Sequence, residues 1–203
     1  MNRTLSVAAA GMAVQQALLD TITANLANVD VPGFRASRID FAPFIAAGGR
    51  LLAPQAAQPQ RLFTQGRLDF TDNQNDLAVD GAGFFVVRTA QGLRAFTRAG
   101  NFSPDAAGRL RLPNGAALEG VRLPRGCASF TVDQNGLVLA RVVGRTMDVT
   151  AGHVQLATFS NPSGLRLADD GLFYQCSQSG PARAGASEAA LGHIKQRSLE
   201  RGN

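Results

Sequence analysis

The chain has 203 residues, a net charge of +5 and 45% hydrophobic side chains. That is enough for one sizeable folded domain plus an appendage, and 22 Gly with 9 Pro make it turn-rich and not disordered. The positive balance rests on arginines spread mostly singly from Arg3 to Arg201 among acidic residues, with no basic run, RNP-like strand or zinc-finger spacing, so a nucleic-acid-binding module is the weakest reading.

The first element is a long helix. Leu5, Ala8, Met12, Gln15, Leu19, Ile22, Leu26 and Val29 recur at alternating steps of three and four, the spacing of a helix that packs along another helix. Between Thr4 and Asn28 the one ionisable side chain is Asp20, and the flanks hold Ala, Gly, Gln, Thr and Asn. A solvated two-stranded coiled coil carries Glu and Lys there, so neutral flanks point to a helix surrounded by other helices. A helix lying on the chain's own β domain is the competing reading. No run of about 18 apolar residues occurs, so direct membrane insertion is not expected. A secretory signal is a poor fit, because Gln15, Gln16 and Asp20 follow the short apolar run without a cleavage site.

The helix is expected to stop near Asn28. Pro32 cannot continue it, and Pro32-Gly33 suits a type II turn with Gly at the position of positive φ. Residues 35–64 read as a linker, because Gly48, Gly49, Pro54 and Pro59 oppose regular structure. Residues 65–203 read as an antiparallel β domain of hairpins. Ala78–Arg88 is a nearly continuous apolar strand pattern interrupted by Gly81 and Gly83, with residues 93–97 as its hairpin mate. An internal repeat follows: Phe102-Ser-Pro-Asp105-Ala-Ala-Gly108 aligns with Phe130-Thr-Val-Asp133-Gln-Asn-Gly136. Asp and Gly three apart suit a turn in which Asp caps its own backbone. Strands are expected at 154–159 and 172–176, and a loop at 177–190. The fold class is therefore α+β, mainly β: one helix (1–34 with its exit turn), a linker (35–64) and a β domain (65–203).

Chemistry is sparse. Cys127 and Cys176 form no C-x-x-C pair; a disulfide between them and two buried thiols are both open. His153 and His193 each follow Gly and precede an apolar residue, a strand-edge or core context and not a ligand set. The Asp133-Gln-Asn135-Gly136 run lacks the third ligand and distal Glu of a calcium loop. Gly81-x-Gly83 lacks the third Gly of a dinucleotide fingerprint, and there is no Gly-x-Ser-x-Gly elbow. No catalytic residue, cofactor, metal or small-molecule substrate is implied.

Several segments carry a resemblance. Asn25-Leu26-Ala27-Asn28-Val29-Asp30-Val31-Pro32-Gly33-Phe34-Arg35 resembles the Asn-Leu-Ala-Asn-Val-x-Thr-x-Gly-Phe-Lys segment of bacterial flagellar axial proteins. Asp76–Val87, Phe96–Phe102, Gln155–Leu165 and Gly192–Glu200 resemble further stretches of the same rod and hook family, in the same order. The resemblance is strongest to distal-rod members, with proximal-rod or hook-like proteins next. It implies a structural subunit of a helical axial tube that transmits torque from motor to hook, located in the basal body, exported by the flagellar secretion apparatus and assembled with copies of itself and other rod and hook proteins. Its assembly residues would be the seam Leu5, Ala8, Met12, Gln15, Leu19, Ile22, Leu26 and Val29, with Asn25, Asn28, Pro32, Gly33 and Phe34 setting the helix exit. The family pattern continues into a C-terminal heptad helix that pairs with the first; here Gly202 stands in the place of the family's Ser. The expectation is a seam whose partner comes from elsewhere, with a truncated paralogue unable to assemble as the alternative.

Overall fold

The structure, a computed structural model, describes residues 3–42, 45–46, 50–51, 55–56, 59–186 and 191–203. It begins with a 25-residue helix, Arg3–Ala27, whose Ala-rich sequence favours helix throughout. The last turn tightens: the Asn28 and Val29 N–H groups donate to the carbonyls of Asn25 and Leu26, three residues back. The chain then bends through Val31–Phe34. The Phe34 N–H donates to the Val31 carbonyl at 3.2 Å, with Pro32 and Gly33 at the centre of the turn and Gly33 at φ +70, as the sequence predicts.

The segment read as linker carries short antiparallel ladders. Ser37–Arg38 pairs with Gln60–Arg61, Phe41–Ala42 with Gln55–Ala56, and Ile45–Ala46 with Arg50–Leu51. These pairs nest into one ribbon, and its strands Ser37–Arg38 and Gln55–Ala56 run against the helix. No period-2 apolar pattern announces two-residue ladders, which is why this ribbon is silent in the sequence.

The β domain is antiparallel. Its centre is Phe84–Arg88, paired on one side with Arg94–Thr97 and on the other with Ala117–Leu118 and Gln155–Thr158. Phe85 and Val87 face one core cluster, with Phe102, Leu110, Val138 and Leu156; Phe84 and Val86 face a second, with Phe96, Phe159 and Phe173. A strand covered on both faces has no polar face to alternate, hence its continuous apolar run. The second cluster is bound by edge-to-face rings, Phe96–Phe159 at 4.8 Å and Phe84–Phe159 at 5.8 Å between centroids. Cys127–Val132, Leu137–Val142 and Val149–His153 form a separate three-stranded sheet over the first cluster.

The two repeat turns have the same construction. Asp105 Oδ1 accepts from the N–H groups of Ala107 and Arg109, and Asp133 Oδ1 from those of Asn135 and Leu137. In both, the Gly N–H closes onto the Asp carbonyl. One expectation changes: within the 177–190 loop, Arg183–Ala186 is a strand on the edge beside Gln155–Thr158. Its Arg-Ala-Gly-Ala sequence has no β-branched or aromatic residue to signal it; residues 187–190 lie outside the described residues. Cys127 and Cys176 are free thiols and half-buried, not fully buried. His153 and His193 sit on strands, as expected.

Gly100 marks the tightest approach in the domain. A Cβ there would lie 1.6 Å from the Leu77 carbonyl oxygen. Gly100→Ala is therefore expected to lower unfolding free energy by at least about 2 kcal/mol. Gly92→Ala, where a Cβ meets open space, costs only its positive φ. Urea unfolding of the two variants ranks them.

Candidate assembly site at the helix exit

The seam faces solvent along its described length. Met12, Leu19, Ile22 and Leu26 are 68, 56, 52 and 72% exposed, and Val29 is 47% exposed. Ala8 and Gln15 are exposed as well, and the Leu5 side chain lies outside the described residues. The half-covered positions are Ala10, Gly11, Val14, Ala17, Leu18, Thr21, Asn25 and Asn28, each one or two residues before a seam position. One residue is about 100° of helix. The ribbon thus covers the neighbouring face and leaves the seam open. The helix does lie against its own chain, but its main contacts are with the ribbon and not with the β domain of the competing reading, and they use another face.

The exit residues are brought together at one junction. Asn25 Nδ2 donates to the Ser37 carbonyl at 2.8 Å, and the Ser37 N–H returns a bond to Asn25 Oδ1 at 2.9 Å. The side chain thereby pairs with the ribbon's first strand as a neighbouring strand would. Asn28 Nδ2 donates back to the Ala24 carbonyl, satisfying an orphan acceptor of the last turn. Pro32 and Phe34 are half-buried. Gly33 is buried, its N–H donates to the Glu200 carbonyl at 2.8 Å, and a Cβ there would sit 2.3 Å from the Ala99 nitrogen. The Gly202 N–H donates to the Val29 carbonyl, and a Gly202 Cβ would meet that oxygen at 3.0 Å. Residues 200–202 therefore strap across the turn.

Beneath the strap lies a buried ion cluster, which sequence reasoning gave no role. Glu200 is fully buried. Its Oε1 accepts from Arg35 Nη2 and from the Gly66 N–H, both at 2.8 Å, and its Oε2 accepts from Arg98 Nη1 at 3.2 Å. Arg98 also donates to the carbonyls of Val79 and Gly81 and stacks on Phe84, 5.0 Å from the ring centroid. Burial pulls the Arg98 guanidinium down to about 10, with Glu200 opposing and Arg35 adding to the shift. Arg35 donates further to the Thr64 carbonyl. Around the rim, Asn203 accepts from the Ala36 N–H and donates to the Leu62 and Thr64 carbonyls, while Arg201 pairs with Asp30 and Asp69. The one available signal was a lone charge between apolar neighbours, Phe34-Arg35-Ala36; Arg98 beside Thr97 and Glu200 beside Arg201 carry none.

This arrangement can hold two rigid parts in one orientation. Among the described residues no three His, Cys, Asp or Glu side chains converge to hold a metal ion, and no helix is long and apolar enough to cross a membrane.

The family model described as flagella basal body rod protein matches residues 5–35, and that described as flagellar hook protein FlgE/F/G D1 domain matches residues 78–140. The flagellar basal-body rod protein FlgG of Caulobacter vibrioides is 30% identical, the match covering 98% of this chain and 84% of that protein. The FlgG protein of Bacillus subtilis is 31% identical, with 100% and 85% covered. The flagellar hook protein FlgE of Rhizobium meliloti is 32% identical over 82% of this chain, but only 42% of that protein is covered.

Glu200→Gln leaves two buried guanidiniums without a countercharge. It is expected to cost about 3–5 kcal/mol in urea unfolding at neutral pH. Asp30→Asn, which breaks an exposed pair, should cost at most about 1 kcal/mol. Equal effects from the two would contradict the cluster's role.

Proposed function

The chain belongs to the flagellar basal-body rod protein family, and on that premise we propose how it works as a structural subunit of the rod. It is a basal-body protein that assembles with other flagellar rod and hook proteins. The exposed seam carries the reading in detail. Four apolar side chains, Met12, Leu19, Ile22 and Leu26, project from one face of a 25-residue helix whose flanks are neutral, and exposed Val29 follows just past its end. Covering them adds roughly 10 kcal/mol of burial, far more than an isolated helix holds by itself. The covering surface is a helix of another subunit, and the neutral flanks allow neighbours on several sides.

In this reading the helices of many copies form the inner tube and the β domains its wall. Heterologous contacts whose rotation does not close generate an open helical assembly, as an axial tube requires. The exit junction then carries torque from the wall to the tube, which calls for rigid interfaces and not for catalysis. Delivery by the flagellar export apparatus belongs to the same proposal. A hook-type position is the second reading, favoured by the likeness to the Rhizobium meliloti hook protein.

Leu19→Asp is expected to abolish rod incorporation and swimming while the β domain keeps its melting behaviour, because Leu19 touches no core cluster. Normal motility in that variant would overturn the seam. In the isolated protein, amides of residues 8–18 should exchange far faster than those of Val79–Val87, and assembly should protect them.

A further inference from the structure

One side of the β domain gathers arginine. Arg88, Arg109, Arg111 and Arg122 line a single open groove of about 370 Å³ together with Glu119. Arg88 also lines the next depression, which holds Arg94, and Arg122 lines another, which holds Arg125. Six guanidiniums, far apart in the sequence, therefore occupy one continuous surface. The carboxylates paired within it are Glu119 and Asp105. The excess of four positive charges compares with +5 for the whole chain.

The groups are held ready and not neutralised. Arg94 grips Glu119 in a fork, Nε to Oε2 at 3.1 Å and Nη2 to Oε1 at 2.6 Å, and Arg88 shares Oε1 at 3.3 Å. Asp105 receives Arg109 at 3.0 Å and Arg111 at 2.7 Å. Each acid thus orients two guanidiniums while cancelling one charge. Among the described residues neither Arg122 nor Arg125 forms an ion pair, and Arg122 donates through Nε to the Ala107 carbonyl. Strand pairing explains the convergence: Arg88, Arg94 and Ala117 are cross-strand neighbours, and Arg111 lies opposite Ala117 on the next strand.

We propose that this stripe docks an acidic protein segment, a run of Asp and Glu side chains laid along the groove. Planar guanidinium forks match carboxylates bidentately, and the stripe already binds Glu119 in this way. A single-stranded nucleic acid would need aromatic faces for its bases. The one aromatic residue lining these depressions is Phe96, which is buried in the core. The surface is separate from the seam, and its function does not depend on the seam's.

Fluorescein-labelled octaglutamate, titrated into the full chain and followed by anisotropy at about 50 and about 200 mM NaCl, tests the proposal. Octaglutamate should bind, more weakly at the higher salt. The double variant Arg122→Gln/Arg125→Gln should weaken binding at least about fivefold. Arg38→Gln/Arg67→Gln, which removes the same charge from the helix-exit region, should change it less than about twofold. Both variants replace exposed side chains, so their melting should match the parent. Absence of binding at the lower salt, equal losses in the two variants, or tighter binding of an oligothymidylate of equal charge would each overturn the proposal, the last by making the surface a nucleic-acid one.

Discussion

Everything at the junction of helix and β domain depends on one carboxylate. Glu200 reaches Arg35, which follows the helix exit, Arg98, which follows the hairpin strand Arg94–Thr97, and the Gly66 amide at the start of the β domain. Three stretches far apart in the chain are fixed by two oxygens. An apolar cluster of equal volume would stabilise the fold as well or better, so stability alone does not account for the choice. What apolar contacts lack is direction. Two guanidiniums meeting one carboxylate leave little freedom to rotate, and the backbone strap from Gly33 to Glu200 and from Gly202 to Val29 removes what remains.

That constraint gives the helix its two faces. Asn25 binds the first strand of the ribbon, and this sets which side of the helix the ribbon covers. Leu18 and Val14 are half-covered; Leu19, Met12 and Leu26 are exposed. The turn at Pro32-Gly33 therefore matters beyond ending the helix. Gly33 packs so closely on Ala99 that no side chain fits, and a displaced turn would rotate the seam with it.

Much of this was legible in the residues. The helix, its end, the turn, the apolar central strand with its hairpin mate and the paired Asp-x-x-Gly turns all follow from local rules, because each depends on neighbours within a few positions. The ribbon of residues 37–61 and the strand Arg183–Ala186 were not legible, since their pairing is set by the elements they lie on and not by their own composition. The Glu200 cluster was hidden for a different reason. Its members are 63 to 165 residues apart in sequence, and an isolated Arg or Glu usually sits on the surface. The arginine stripe was hidden for the same reason: the arginines are dispersed along the chain, and antiparallel pairing gathers six of them on one side.

In the proposed arrangement, a rod subunit passes force between wall and tube through a narrow waist. Here the covalent path is one strand of chain from Asn28 to Ser37, which by itself would be a hinge. The waist becomes stiff because non-covalent bonds cross it at several depths: the Asn25–Ser37 pair at the helix, the Gly33 and Gly202 amide bonds at the turn, the buried ion cluster below, and Arg201 to Asp30 and Asp69 at the rim. Rotation of the helix against the domain would strain all of them together. Loss of a rim pair removes one exposed contact and little stiffness. Loss of Glu200 leaves a buried positive pair that repels, and the waist loses its deepest cross-link.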